Sequence, residues 1–192
     1  MTFRAAEAVR SVYGAARMAQ FDARGIAAFD GSREAALRSF WVAAILMPLW
    51  ALTTAVLWSS IDAPIDPVRF VAVQSLFYVI SWTAFPVILA LIAFAMMRGH
   101  HFFLLVSVYN WSHIVQTLIV LPILFLTYSG ALPDRFMSIV TLGYFGFIVI
   151  YEGFIIRICL KTGWTEGIGL AVLDIALAFM LQNIGERMVF TF

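Results

Sequence analysis

The sequence predicts an all-α integral membrane protein: a bundle of five transmembrane helices with an N-terminal cytoplasmic amphipathic helix. Three observations predict it. Of 192 residues, 63% are hydrophobic and only 12% charged, against about 45–50% and about 25% in ordinary soluble domains. Mean hydropathy is +0.96, more apolar surface than a soluble fold of this size can hide. The apolar residues fall into five runs near 40–59, 68–97, 102–128, 136–160 and 167–184, each close to or above the ~20 residues that cross a hydrocarbon core. This composition excludes a disordered chain, a disulfide scaffold and a nucleic-acid module. The net charge of +1 gives no global pull toward an anionic partner. The single cysteine, Cys159, excludes an internal disulfide.

Residues 1–31 form the first unit, a cytoplasmic segment that lies at the membrane interface. Residues 1–39 lack the short apolar core and cleavage site of a signal peptide, so the N-terminus is expected to be retained. Val9, Val12, Tyr13, Ala16, Ala19, Ala23 and Ile26 recur with helical spacing, which predicts one mildly apolar face over 3–28. Arg10, Arg17 and Arg24 recur every seven residues beside it. That pattern predicts a basic helix lying on an anionic leaflet, or an arm that docks on a partner. Phe29-Asp30-Gly31-Ser32 breaks it, and Asp30 or Ser32 can cap a new helix with Glu34 in its first turn.

Residues 32–192 form the second unit, the five-helix transmembrane domain. Its breaks carry turn chemistry: Asp62-Ala63-Pro64-Ile65-Asp66-Pro67, Arg98-Gly99-His100-His101, Ser129-Gly130-Ala131-Leu132-Pro133-Asp134 and Lys161-Thr162-Gly163. Such short links predict antiparallel neighbours. Pro48, Pro86 and Pro122 fall inside spans and invite kinks. The second span, about 30 residues and so about 45 Å of helix, must tilt, kink or protrude.

Lys and Arg set the orientation. Nine of the twelve (Arg4, Arg10, Arg17, Arg24, Arg33, Arg38, Arg98, Arg157 and Lys161) fall on one side; Arg69, Arg135 and Arg187 fall on the other. The N-terminus is therefore expected in the cytoplasm and the C-terminus in the periplasm of an inner-membrane protein. Trp41 and Trp164 sit near the inner interface and Trp58 near the outer one.

Ionisable groups inside spans are costly and mark functional candidates. Three stand here: His113, Glu152 and Asp174. Asn110, His113 and Thr117, spaced three and four apart, share a face that Ser107 and Gln116 extend. This row is either a proton or ligand site, or interhelical hydrogen bonding worth about 1 kcal/mol or less per bond. Gln74, Tyr78 and Ser81 form a milder row on the second span. Gly163, Gly167, Ala171, Asp174 and Ala178 form a small-residue stripe on the fifth helix, which permits close helix approach and turns Asp174 toward a partner helix. His113 is the donor expected for Asp174. Gly143, Gly146 and Gly153 thin the fourth helix, so helices four and five are expected to pack as a tight pair. Glu152 and Arg157, five residues apart, do not share a face.

No catalytic, haem, nucleotide or metalloprotease motif occurs, and His100-His101 lacks further ligands nearby. The expectation is that no catalytic residue, cofactor or metal site is present. A cytoplasmic N-terminal region followed by five closely spaced spans, with the run Tyr109-Asn110-Trp111-Ser112 in the third, resembles the Yip family of membrane proteins over about residues 35–185. The resemblance implies a non-enzymatic protein acting in membrane organisation or assembly, and it transfers no binding residue. The expected partners are the lipid bilayer and another membrane protein or a second copy, without nucleic acid. Two further readings remain open: a small proton-coupled transporter or channel using His113, Glu152 and Asp174, and a lipid-active enzyme using the same cluster.

Overall fold

The computed structural model describes residues 3–59, 61 and 65–190. Seven α-helices follow in order: α1 (Ala5–Ala19), α2 (Arg33–Ser39), α3 (Trp41–Ser59), α4 (Pro67–Ala95), α5 (Phe102–Ser129), α6 (Asp134–Leu160) and α7 (Trp164–Phe190), with 3-10 turns at Ala23–Ala28 and Gly99–His101. Among the described residues, five helical stretches are long and apolar enough to cross a membrane: Arg33–Ser59, Pro67–Ala95, Gly99–Ser129, Asp134–Leu160 and Trp164–Phe190. The first joins α2 and α3, because Phe40 between them keeps a right-handed helical backbone. The part of the first linker at 62–64 lies outside the described residues.

Local chemistry places the ends. The Ser32 hydroxyl accepts from the Ala35 amide at 3.2 Å and caps α2, and Asp66 accepts from Val68 at 2.9 Å ahead of Pro67 in α4. Three helix C-termini depart from the expected glycine chemistry. Phe21, Met97 and Lys161, with φ of 59°, 58° and 53°, occupy the left-handed position after α1, α4 and α6. Amide bonds back across five residues, Asp22 to Arg17, Arg98 to Ala93 and Thr162 to Arg157, close each end. Arg98 also donates to the Leu160 and Lys161 carbonyls, satisfying the last turn of α6 from the end of α4. The fifth long helix runs through Asp174 and continues to Phe190.

The single face expected over 3–28 is replaced by a hairpin. α1 stops at Ala19, and the left-handed Phe21 turns the chain back through the 3-10 segment. Gly14 and Gly25 allow this fold: a Cβ on Gly25 would sit 2.5 Å from the Gly14 carbonyl oxygen. The buried face of α1 is Ser11, Gly14, Ala15 and Met18, while Val9 and Tyr13 point outward. Arg17 and Arg24 both grip Asp22; of the three periodic arginines, only Arg10 has no ion pair among the described contacts. The hairpin docks on α5 and α6, where Tyr151 donates to the Ala15 carbonyl at 2.9 Å. Arg38 on α2 pairs with Glu7 on α1 at 2.9 Å.

α5 is the hub, touching α1, α2, α3, α4 and α6, while α7 packs on α6 and α4. The large core cluster includes Met18, Phe85, Leu89, Leu105, Tyr151, Ile155 and Leu160. All of these lie in the half of the bundle that carries α1. Toward the other end, α5 and α6 lose their buried positions, and the remaining cluster is Phe70, Val73 and Val189. The bundle is thus sealed at one end and loosely packed at the other.

Candidate functional site

At mid-bundle, where the sealed half gives way to the open half, α3 to α7 surround a cavity of about 440 Å³. His113, Gln116, Glu152 and Asp174 line it, together with Tyr78, Ser81, Trp82, Tyr109 and Thr117. A second cavity of about 510 Å³ shares Trp50 and Thr53 with it and extends to Tyr128, Gln182 and Glu186 at the open end.

The α6–α7 crossing sets the position of the acids. A Cβ on Gly153 would lie 2.6 Å from Ile168 Cδ1, and one on Gly167 would strike the Gly153 carbonyl oxygen. Ala171 is buried in the same contact zone. This backbone-close crossing brings Glu152, next to Gly153, beside Asp174, two turns along α7 from Gly167. The tight pair is narrower than the predicted stripes. Gly146, like Gly143, has no neighbour within 4 Å of an added Cβ, and a Cβ on Gly163 would meet only the Glu166 side chain. Ala178 is exposed at the cavity wall rather than packed in the crossing.

Glu152 is 3% exposed. Its Oε1 accepts from Gln116 Nε2 at 3.0 Å; its Oε2 meets no N–H or hydroxyl donor, and the Asp174 carboxyl lies within hydrogen-bonding reach of Glu152, a bond that needs one proton between the two acids. Asp174 accepts from the Tyr109 hydroxyl at 2.7 Å. The donor expected there, His113, instead points Nδ1 at the Tyr109 carbonyl, 3.0 Å away, across one helical turn. A carbonyl only accepts, so Nδ1 carries the hydrogen and Nε2 of the neutral ring is an acceptor. Aromatic rings continue from this point: Tyr109 to His113 at 4.7 Å, His113 to Trp82 at 5.1 Å, Trp82 to Tyr78 at 6.2 Å and Tyr78 to Trp50 at 4.6 Å. Tyr78 donates to the Ala43 carbonyl at 2.5 Å and fixes α4 to α3.

Asn110 stands apart from the cavity. It is fully buried on the side of α5 that meets α2 and donates to Ser39 Oγ at 2.8 Å. Gln74 lines the second cavity rather than the first. Sequence reasoning missed Tyr109 as the Asp174 donor, although its place one turn before His113 puts it on the same face. It also missed Trp50 and Trp82, whose register toward the cavity no apolar run reveals.

A buried carboxyl beside a half-buried one needs positive charge between or beside the two, a proton or a cation. Among the described residues no Lys or Arg lines the cavity to supply it. Nor do three His, Cys, Asp or Glu side chains converge as metal ligands among those residues. Comparison with protein-family models, curated proteins and solved structures finds no match to the chain.

Proposed function

We propose that the chain is a small multi-pass membrane carrier whose working element is the half-open cavity, with Glu152 and Asp174 as the pair that holds a proton or cation. One observation carries this reading. Glu152 is almost fully buried at a cavity wall, and its Oε2 meets no N–H or hydroxyl donor, only the Asp174 carboxyl in hydrogen-bonding reach of the same side chain. Asn110 Oδ1 and Thr162 Oγ1 are also buried without a partner, so the weight rests on position: intramembrane acids that line a cavity mark ion and proton paths. On the orientation that the Lys and Arg bias favours, the sealed end faces the cytoplasm and the cavity opens toward the periplasm of an inner membrane.

Carbodiimide labelling of the protein in vesicles tests the reading. N,N′-Dicyclohexylcarbodiimide enters membranes and modifies protonated carboxyl groups. Modification at Glu152, absent in Glu152→Gln, and a proton flux abolished by Asp174→Asn or His113→Ala support a carrier. An unlabelled Glu152, or flux unchanged in the variants, overturns it.

A second reading, a non-enzymatic accessory or membrane-organising subunit, draws on the Yip-like topology and on the glycines of α6. Gly143 and Gly146 have open space where a Cβ would stand, room for the close approach of another helix. Gentle extraction followed by native mass measurement tests it. A stoichiometric complex or a homodimer that Gly146→Leu disrupts supports it, and a lone monomer removes it.

A further inference from the structure

We infer that the cavity takes a primary ammonium on a compact apolar body, an amine-bearing amphiphile; this rests on the reading of the cavity as the working site. The polar wall offers acceptors. Five side-chain donors of the wall are committed: Tyr109 to Asp174, Gln116 to Glu152 Oε1, and Tyr78, Ser81 and Thr53 to backbone carbonyls. Glu152 Oε2 is buried with no N–H or hydroxyl donor and has the Asp174 carboxyl in reach of its side chain, a pair that a bound ammonium can bridge in place of a shared proton; Nε2 of neutral His113 is a further acceptor. A ligand bearing its own N–H groups and a positive charge completes this set, while an anion would meet two carboxyls and no cationic side chain.

The rest of the cavity selects against a bare metal ion. Hard cations such as calcium take six to eight oxygen ligands, and two carboxyls fall well short. The volume of about 440 Å³ instead lies within the range of small-molecule sites, about 300–1,000 Å³. Trp50 and Trp82 supply aromatic faces that attract cations, most strongly where water is excluded. Leucine and valine side chains from α3 and α5 complete the wall and suit an apolar body. The same ammonium chemistry is carried by free lipophilic amines and by the phosphatidylethanolamine headgroup.

The test uses the full chain in nanodiscs of phosphatidylcholine, with diphenyldiazomethane esterification of protonated Glu152 read by peptide mass spectrometry, because primary amines trap carbodiimide-activated carboxyls and would mimic protection. Phenethylamine is expected to protect Glu152, and its neutral isostere 2-phenylethanol is not. Adding phosphatidylethanolamine to the discs separates the two sources: protection without any free amine assigns the headgroup, and protection by phenethylamine alone assigns a free amine. Either result supports the ammonium site. Equal protection by 2-phenylethanol, or protection by neither amine nor headgroup while Glu152 still labels, overturns it and leaves the cavity reading standing. No labelling of Glu152 under any condition overturns the cavity reading itself. Phenethylamine binding measured by equilibrium dialysis should weaken about ten- to a hundredfold in Glu152→Gln, the worth of a charged hydrogen bond. Undiminished binding in that variant contradicts the assignment.

Discussion

Tyr109 on α5 donates its hydroxyl to Asp174 on α7 at 2.7 Å. The bond joins the two helices at the level where the packed half of the bundle meets the cavity. It also turns the Asp174 carboxyl toward Glu152 rather than toward lipid, because the same carboxyl lies beside Glu152 on α6. The positions of both acids therefore depend on a phenol on a third helix.

Tyr109→Phe removes that bond while keeping the ring. Hydrogen bonds between membrane helices are worth about 1 kcal/mol, so unfolding in mixed detergent should show a loss of about that size. Asp174→Asn keeps an acceptor and should lose less. A larger loss in Asp174→Asn than in Tyr109→Phe would contradict this account of the bond.

The α6–α7 crossing predicts a sharp contrast between glycines. Gly167→Ala places a methyl against the Gly153 carbonyl, a backbone atom that cannot rotate away, and should cost about 1–3 kcal/mol as overpacking does. Gly146→Ala adds a methyl in open space and should stay within about 0.5 kcal/mol of the parent. Thermal unfolding of the purified variants reads the difference, and equal stabilities would mean that the two helices do not cross there.

The N-terminal hairpin depends on Asp22. Arg24, followed by Arg17, holds the Asp22 carboxyl well below the usual carboxylate range. A group whose value is depressed on folding contributes stability above its unfolded value, about 3.9. That contribution is lost as pH falls from there through the depressed folded value. The docked hairpin should therefore resist proteolysis from neutral pH down to about 4 and loosen only in stronger acid. Asp22→Asn should bring that sensitivity to neutral pH, cleaving near residues 20–24 before the rest of the chain. A variant as resistant as the parent would show that Asp22 does not hold the turn.

Much of the fold is legible because its causes are local. Continuous apolar runs locate the five long helices, and Ser32 followed by Glu34 marks the start of α2. The crossing glycines Gly153 and Gly167 are visible in the spacing of small residues on α6 and α7. What periodicity cannot show is which faces meet. The α1 hairpin turns at Phe21, a residue with no preference for the left-handed conformation, and is held by a contact between Gly14 and Gly25 that appears only once the chain folds back. His113, Gln116, Glu152 and Asp174 can each be named from their cost inside a span. Their convergence on one cavity, and the role of Tyr109, depend on the rotation of three helices that no single-helix pattern records.

The measurement that tests the account most directly is side-specific thiol labelling of single-cysteine substitutions in oriented vesicles. Native Cys159 is 1% exposed and supplies an unreactive background. Thr53→Cys and Thr117→Cys place thiols at the cavity wall, and a membrane-impermeant maleimide should label both from the open end alone. A cavity that leads from that end to Glu152 and Asp174 requires this result. Labelling of neither, or of both from the end that carries α1, would contradict it.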